Sequence, residues 1–185
     1  MRELVFMLEE ASAKALIEGI LDRLGIPDSL ATRFIVFEGK QDLEKQLERK
    51  LRSYQNPDAH FIIVRDQDSG DCKVVKERLV AKCRSATKAE ARVRIACREL
   101  ESWYLADLSA VSRAFDMPHI AARQEESNYR NPDILESPSH ELKRMVPAYQ
   151  KVSGSRAIAR FLDLDNVRSR SFHHFVESIK IISEA

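Results

Sequence analysis

The chain begins with a short apolar run that is followed by apolar residues at helical spacing. The run, Glu3 to Leu8, is bounded by charge and is typical of a strand buried on both faces. Ser12 stands where a helix N-cap belongs. Leucines and isoleucines then recur every three or four residues until Gly25 and Pro27 end the pattern. The sequence therefore predicts a strand, a tight turn and a helix.

This pattern of strand and helix recurs along the first part of the chain. Three further apolar strands are predicted at Phe34–Phe37, Phe61–Val64 and Val93–Cys97, and charged stretches with apolar residues at helical spacing separate them. Strands that alternate with helices of this length require crossover connections. The predicted fold class is therefore α/β, with a parallel sheet of about four strands flanked by helices.

The pattern changes after the fourth predicted strand. Residues 99–115 predict a helix, and Arg170–Ser183 predict a last amphipathic helix. Between them, residues 117–152 hold prolines too closely spaced for long elements, so we expect an irregular segment that wraps the sheet. Residues 1–110 are thus predicted to form the core, and residues 111–185 a C-terminal extension that packs on it as part of one globular unit.

Composition and charge exclude several classes of protein. A chain of 185 residues, 44% hydrophobic and 32% charged, suits one globular domain. It has neither the roughly 18 apolar residues of a membrane span nor the apolar region of a signal peptide, so we expect a cytoplasmic protein with no membrane partner. Cys72, Cys83 and Cys97 form no CxxC pair, which argues against a disulfide framework and a zinc site. A net charge of +1 means that any binding of nucleic acid must be local.

Acidic residues follow three of the four predicted strands. Ligands of an open parallel sheet bind beyond the carboxyl ends of its strands, so we expect these acids to share one edge. Carboxylates brought together repel one another unless a cation neutralises them, and oxygen ligands favour Mg²⁺ or Mn²⁺. Any one acid could instead serve only the dipole of the helix behind it, but their coincidence at three strand ends favours a metal site. The six predicted metal ligands are Glu9, Glu10, Asp66, Asp68, Glu99 and Glu101.

Other chemical constellations are weaker. The run DQDSGD around Asp68 lacks the acid about six residues beyond the glycine that a calcium loop needs. His173 and His174 point about 100° apart on a helix, so they do not form a metal-binding pair. Trp103 lies on an apolar helical face and is assigned to the core rather than to base stacking.

Two short motifs that contain these acids carry a resemblance to a known family. Glu9 with Ser12, and Asp66 with Asp68, resemble the two motifs of the TOPRIM domain, the metal-dependent fold shared by topoisomerases, bacterial-type primases and OLD-type nucleases. The resemblance covers residues 1–110. The whole chain is also similar to a group of uncharacterised bacterial proteins assigned to the TOPRIM fold, whose members are often associated with ATPases and implicated in defence against phage.

The match departs from the family pattern at two positions. Glu10 stands where the family has a small residue, and Ala13 where it has an acid, so both Glu9 and Glu10 are candidates and Glu9 is favoured. In OLD-type nucleases a further acid near the fourth strand joins the metal site. Glu101 is its candidate here, with Glu99 second.

The resemblance implies a nuclease that uses magnesium or manganese to hydrolyse phosphodiester bonds. Its substrate would be nucleic acid, DNA before RNA, and its partner an AAA/ABC-type ATPase; a homodimer is left open. Asp66, Asp68 and Glu101 would bind metal, whereas Glu9 would bind metal or accept a proton from the nucleophile. Glu9, Asp66 and Asp68 are therefore the predicted catalytic residues. A topoisomerase would need a tyrosine from a separate domain, and the chain has too few residues outside the core to form one.

A Gly/Ser-rich segment predicts contact with phosphate. Lys151, Ser153 and Arg156 belong to a turn that is predicted to open a helix, where basic side chains and backbone N–H groups suit an anion. The same residues also fit a plain N-cap turn with a solvated basic surface.

Two functions of other classes compete with the nuclease. A module that binds metal and partners an ATPase without cutting is favoured by Ala13 and by the near-neutral charge. A phosphoacceptor receiver also gathers acids at strand ends, but it places its acidic pair after the first strand and a lone acid after the third. The order of the pairs here is the reverse.

Overall fold

The fold is α/β, which confirms the predicted class. The structure is a computed structural model that describes residues 1–184. Its strands are β1 (Arg2–Leu8), β2 (Leu30–Val36), β3 (Ala59–Asp66) and β4 (Arg92–Ala96). They form one sheet in the order β2-β1-β3-β4, and every adjacent pair is parallel.

Helices connect the strands and make up most of the C-terminal part of the chain. None of the helices within residues 1–184 is long and apolar enough to cross a membrane. Residues 118–125 and 132–134 form two short 3₁₀ helices. The α-helices are α1 (Ala11–Leu24), α2 (Lys40–Arg52), α3 (Cys72–Ser85), α4 (Glu101–Leu105), α5 (Leu108–Phe115), α6 (Ser127–Arg130), α7 (Pro138–Met145), α8 (Lys151–Ala159) and α9 (Arg170–Glu184).

Both faces of the sheet are buried, because helices pack against each of them. Successive side chains of a strand point to opposite faces, so they enter two different apolar clusters. Leu4 and Phe6 of β1 belong to the larger apolar cluster, together with residues of α1, α5, α8 and α9. Val5 and Met7 belong to the second cluster, together with residues of α2 and α3. This double coverage explains why β1 is a continuous apolar run rather than an alternating one.

Three local predictions were wrong. α1 begins directly after Glu10, and the Ser12 hydroxyl donates to the Glu10 carboxylate at 3.2 Å, so Ser12 is not the N-cap. Residues 99–115 form two helices, because the Asp107 side chain accepts from the backbone N–H of Ala110 and starts α5 afresh. Residues 151–156 lie within α8 and are not a turn that precedes it.

Candidate metal centre

The order of the strands creates a crevice between the ends of β1 and β3. The chain runs from β1 to β2 on one side and returns to β3 on the other, so the connections diverge at this point. Ligands of open α/β sheets bind at such a switch point, beyond the carboxyl ends of the strands. Glu9 follows β1 and Asp66 ends β3, so two of the predicted acids lie at the crevice.

Glu9 ties the ends of these two strands together. Its backbone N–H donates to the carbonyl of Val64 at 3.3 Å, and its carboxylate accepts from the backbone N–H of Asp66 at 3.0 Å. Only 8% of the residue is exposed. Burial raises the pKa of the Glu9 carboxyl against the lowering effect of the Asp66 N–H, and the charge of Asp68 adds to the rise.

Asp66 points toward the larger apolar cluster. On β3 it lies on the same face as Ile62 and Val64, which belong to that cluster, whereas the neighbouring Arg65 lies on the opposite face. Loss of hydration raises the pKa of Asp66 well above its ordinary value, and the charges of Glu9 and then Glu101 raise it further.

Glu101 is the most deeply buried of the six predicted ligands. It is the first residue of α4 and only 1% exposed, and its carboxylate accepts from the Tyr149 hydroxyl at 2.9 Å. Burial raises its pKa, while the charge of Lys151 and the Tyr149 hydroxyl lower it. The charge of Glu101 in turn raises the pKa of Asp66, so the two carboxyl groups lie within electrostatic range of each other.

Asp68 and Glu10 lie at the rim, and each is held by a lysine. Asp68 adopts a left-handed conformation with φ of 56°, and its carboxylate meets the Lys40 ammonium at 2.9 Å. The Glu10 carboxylate meets the Lys151 ammonium at 3.1 Å. Both ion pairs are partly exposed, so they contribute little to stability and can exchange partners.

Glu99 and the remaining phosphate candidates are engaged elsewhere or exposed. The Glu99 carboxylate accepts from the backbone N–H of Ser139 at 2.7 Å, at the start of α7. Ser153 and Arg156 are exposed on α8, and Lys151 alone of the three predicted phosphate contacts reaches the acids. Glu9 thus contacts Asp66, and the charge of Glu101 acts on Asp66, whereas Asp68 and Glu10 pair with lysines.

Comparison with known protein families assigns the chain. The model of a domain of unknown function, DUF4276, matches residues 8–180. The chain belongs to the DUF4276 family. No curated protein and no solved structure matches it. The matched range includes all the acids of the crevice, from Glu9 to Glu101, and both lysines that face them.

The acids of this DUF4276 chain have the oxygen ligands that a hard cation needs. Their present arrangement, however, does not form a complete metal site. Carboxylate oxygens suit Mg²⁺ or Mn²⁺, and burial raises the pKa values of Glu9, Asp66 and Glu101. Within residues 1–184, no three His, Cys, Asp or Glu side chains stand in an arrangement that could hold a metal ion. Binding would therefore require side-chain movements, which include release of Asp68 from Lys40.

Sequence reasoning missed two residues that contact the acids. Lys40 is the first residue of α2 and follows the end of β2 in the chain. It was missed because only acidic residues were considered at the strand ends. Tyr149 lies between α7 and α8, and only the tertiary fold brings its hydroxyl to Glu101. The sequence does hold a signal for Lys40, because it lies shortly after the predicted strand Phe34–Phe37. It holds no signal for Tyr149.

Proposed function

We propose that this DUF4276 protein is a phosphodiester hydrolase of nucleic acid that depends on Mg²⁺ or Mn²⁺. One observation carries the proposal: the Glu9 carboxylate accepts from the N–H of Asp66 at the switch point of the sheet, and burial raises the pKa of Glu9, Asp66 and Glu101. Buried carboxyl groups with shifted pKa values in a crevice are typical of functional sites. The resemblance of the acidic pairs to TOPRIM motifs supports the same activity.

The acids account for the binding of metal. Glu9, Asp66 and Glu101 would hold the ion, and Asp68 would join them once it leaves Lys40. A divalent cation in such a place supplies a polarised water and neutralises charge on a phosphodiester. The protein's own part is to fix Glu9 through the N–H of Asp66 and to keep Glu101 in a dry position under Tyr149.

The two lysines at the rim account for the binding of phosphate. Lys40 and Lys151 now pair with Asp68 and Glu10, and both ammonium groups remain partly exposed. When a metal takes over the carboxylates, the ammonium groups become free to bind phosphate oxygens. DNA is the first expected substrate, and an AAA/ABC-type ATPase the expected partner in phage defence, both on the strength of the TOPRIM resemblance.

Cleavage of DNA tests this function. Purified protein is incubated with supercoiled plasmid and with linear and single-stranded DNA, in Mg²⁺, in Mn²⁺ and in chelator. We expect metal-dependent cleavage that is lost in Asp66→Asn and kept in Asp22→Asn, which changes an exposed acid of α1. Cleavage that survives Asp66→Asn, or that proceeds in chelator, contradicts the proposal.

A regulatory module is the second candidate, and the two ion pairs favour it. Lys40 and Lys151 already neutralise Asp68 and Glu10, as they would in a protein that uses its acids for structure or partner binding. Such a module would bind metal and an ATPase without cutting. Absence of cleavage in the presence of a partner ATPase, together with metal binding, would favour the module over the nuclease.

A further inference from the structure

A basic cleft lies beside the edge strand β4, between α3 and α9. Its volume is about 620 Å³, and its walls include Lys73 and Lys76 of α3, Arg94 of β4 and Arg170 of α9. Three separate elements thus contribute cations to one cleft. The near-neutral net charge of the chain gives no hint of this concentration.

The cations of this cleft have no acidic partners. Within the described part of the chain, none of Lys73, Lys76, Arg94 and Arg170 forms an ion pair, whereas Lys40 and Lys151 at the acidic edge both do. The acid that lines the cleft, Asp133, is engaged by hydroxyl and backbone donors, with Ser169 at the shortest distance, 2.5 Å. Burial raises the pKa of Asp133, and the hydrogen bonds from Ser169 and Ser171 oppose the rise.

His174 lines the cleft among these cations. Loss of hydration lowers its pKa, and the charges of Arg94, His173, Arg170 and Lys76 lower it further. Cations of three elements thus act on one side chain, and a bound anion would relieve their mutual repulsion.

Arg94 is held in place as a donor. Its Nε donates to the His174 carbonyl at 3.0 Å and to the Ser178 hydroxyl at 2.6 Å, and one terminal nitrogen donates to the Val93 carbonyl at 3.1 Å. These contacts fix the guanidinium against the wall. A fixed donor loses little conformational entropy when an anion binds.

The cleft reaches the edge of the sheet that carries the acids. Cys97 follows β4 and Cys72 begins α3; their Sγ atoms lie 3.4 Å apart, and both residues line the cleft. Cys97 is one residue beyond Ala96, which is the register partner of Asp66. The cleft therefore opens next to the carboxyl ends of β3 and β4.

We propose that this cleft binds the sugar-phosphate backbone of a nucleic-acid strand. The inference rests on the proposed function, since a strand cut at the acidic edge needs a path away from it. Cations spread over three elements suit successive phosphates better than a single small anion. Within residues 1–184, no Phe, Tyr or Trp lines the cleft, and His174 is the one aromatic ring in its wall. Binding should therefore depend on salt and not on base sequence.

Fluorescence anisotropy tests the cleft without any need for cleavage. A labelled oligothymidylate of about 20 nucleotides is titrated in chelator with wild type, Lys73→Ala/Lys76→Ala and the charge-matched control Lys45→Ala/Arg49→Ala on the exposed face of α2. We expect the cleft variant to bind at least about tenfold more weakly and its salt slope to fall by about 1.4, since each phosphate contact contributes about 0.7 on a single strand. The control should bind like wild type, and circular dichroism should show that all three are folded.

The outcomes separate this inference from the proposed function. Equal affinity of wild type and the cleft variant overturns the inference, as does a wild type that does not bind the strand in chelator. Loss of binding in the cleft variant alone supports it, even where the wild type cuts nothing. If the cleft variant binds the strand normally and still shows metal-dependent cleavage, the proposed hydrolase function stands and the proposed role of the cleft is contradicted.

Discussion

The backbone N–H of Asp66 donates to the Glu9 carboxylate at 3.0 Å, and this bond joins the ends of β1 and β3. It places the Glu9 carboxylate at the point where the connections of the sheet diverge. The bond therefore has a structural and a chemical role. Substitutions of Glu9 can separate the two, because an amide keeps the acceptor and removes the charge.

Glu9→Ala should lower the free energy of unfolding by about 1–3 kcal/mol, because the buried N–H of Asp66 loses its acceptor. Glu9→Gln should cost much less, since the amide oxygen can accept the same bond and no buried charge remains. Urea denaturation at neutral pH measures both. Equal losses in the two variants would contradict the role of this hydrogen bond. Both variants should lose metal-dependent cleavage.

The contribution of the three buried acids to stability should fall as the pH rises from acid to neutral. Burial raises the pKa of Glu9, Asp66 and Glu101, so the folded chain retains protons that the unfolded chain has released. The stability from these groups is complete below the unfolded pKa of about 4 and is lost as the pH passes through the raised folded values.

The variant Asp66→Asn isolates the part of this pH dependence that comes from Asp66. Its side chain stays neutral, so above a pH of about 4 the free energy of unfolding should fall less, or rise more, than in wild type. Urea denaturation over a series of pH values measures the slope. Asp22→Asn, at an exposed position of α1, serves as the control and should keep the wild-type slope. A slope for Asp66→Asn that equals that of wild type contradicts the raised pKa.

Lys151→Met should strengthen metal binding and slow cleavage. The Lys151 ammonium competes with a cation for Glu10, and a charge at this range is worth about 1 kcal/mol, or about fivefold in affinity. Cleavage should fall because the same ammonium is proposed to bind phosphate. Mn²⁺ titration and plasmid cleavage measure the two effects. Lys45→Met on α2 should change neither, and weaker metal binding in Lys151→Met would speak against competition.

Gly154→Ala should destabilise the protein, although alanine in a helix usually stabilises by about 0.5–1 kcal/mol. A Cβ on Gly154 would collide with the ring of Tyr149, whose hydroxyl holds Glu101. Overpacking of this kind costs about 1–3 kcal/mol. Thermal unfolding measures the change, and Ser153→Ala, exposed in the same helix, should stay within about 0.5 kcal/mol of wild type. A higher melting temperature of Gly154→Ala would contradict this packing.

The central strands could be predicted from the sequence, whereas the start of the edge strand β2 and the helix break could not. β1 and β3 are buried on both faces and therefore appear as apolar runs. β2 begins at Leu30, earlier than predicted, because Thr32 and Arg33 of this edge strand are exposed and polar. The break between α4 and α5 depends on Asp107, whose other oxygen accepts from the distant N–H of Asp163 at 2.7 Å.

For the candidate site, the sequence predicts the acids but not their partners. The ends of β1, β3 and β4 follow from local pattern, and so do the positions of Glu9, Asp66 and Glu101. The contacts with Lys151 and Tyr149 join segments about 50 to 140 residues apart, which no local pattern encodes. Which acids are free and which are paired is thus a property of the fold.

Binding of Mn²⁺ tests the metal centre most directly, because it needs neither substrate nor partner. Electron paramagnetic resonance counts the free ion during titration of wild type, Asp66→Asn, Glu101→Gln and the control Asp22→Asn. We predict saturable binding by wild type and the control, and affinity at least about tenfold weaker in Asp66→Asn and Glu101→Gln, which each remove a charged oxygen ligand. Binding that is equal in all four proteins, or absent from wild type, would contradict a metal centre at this edge.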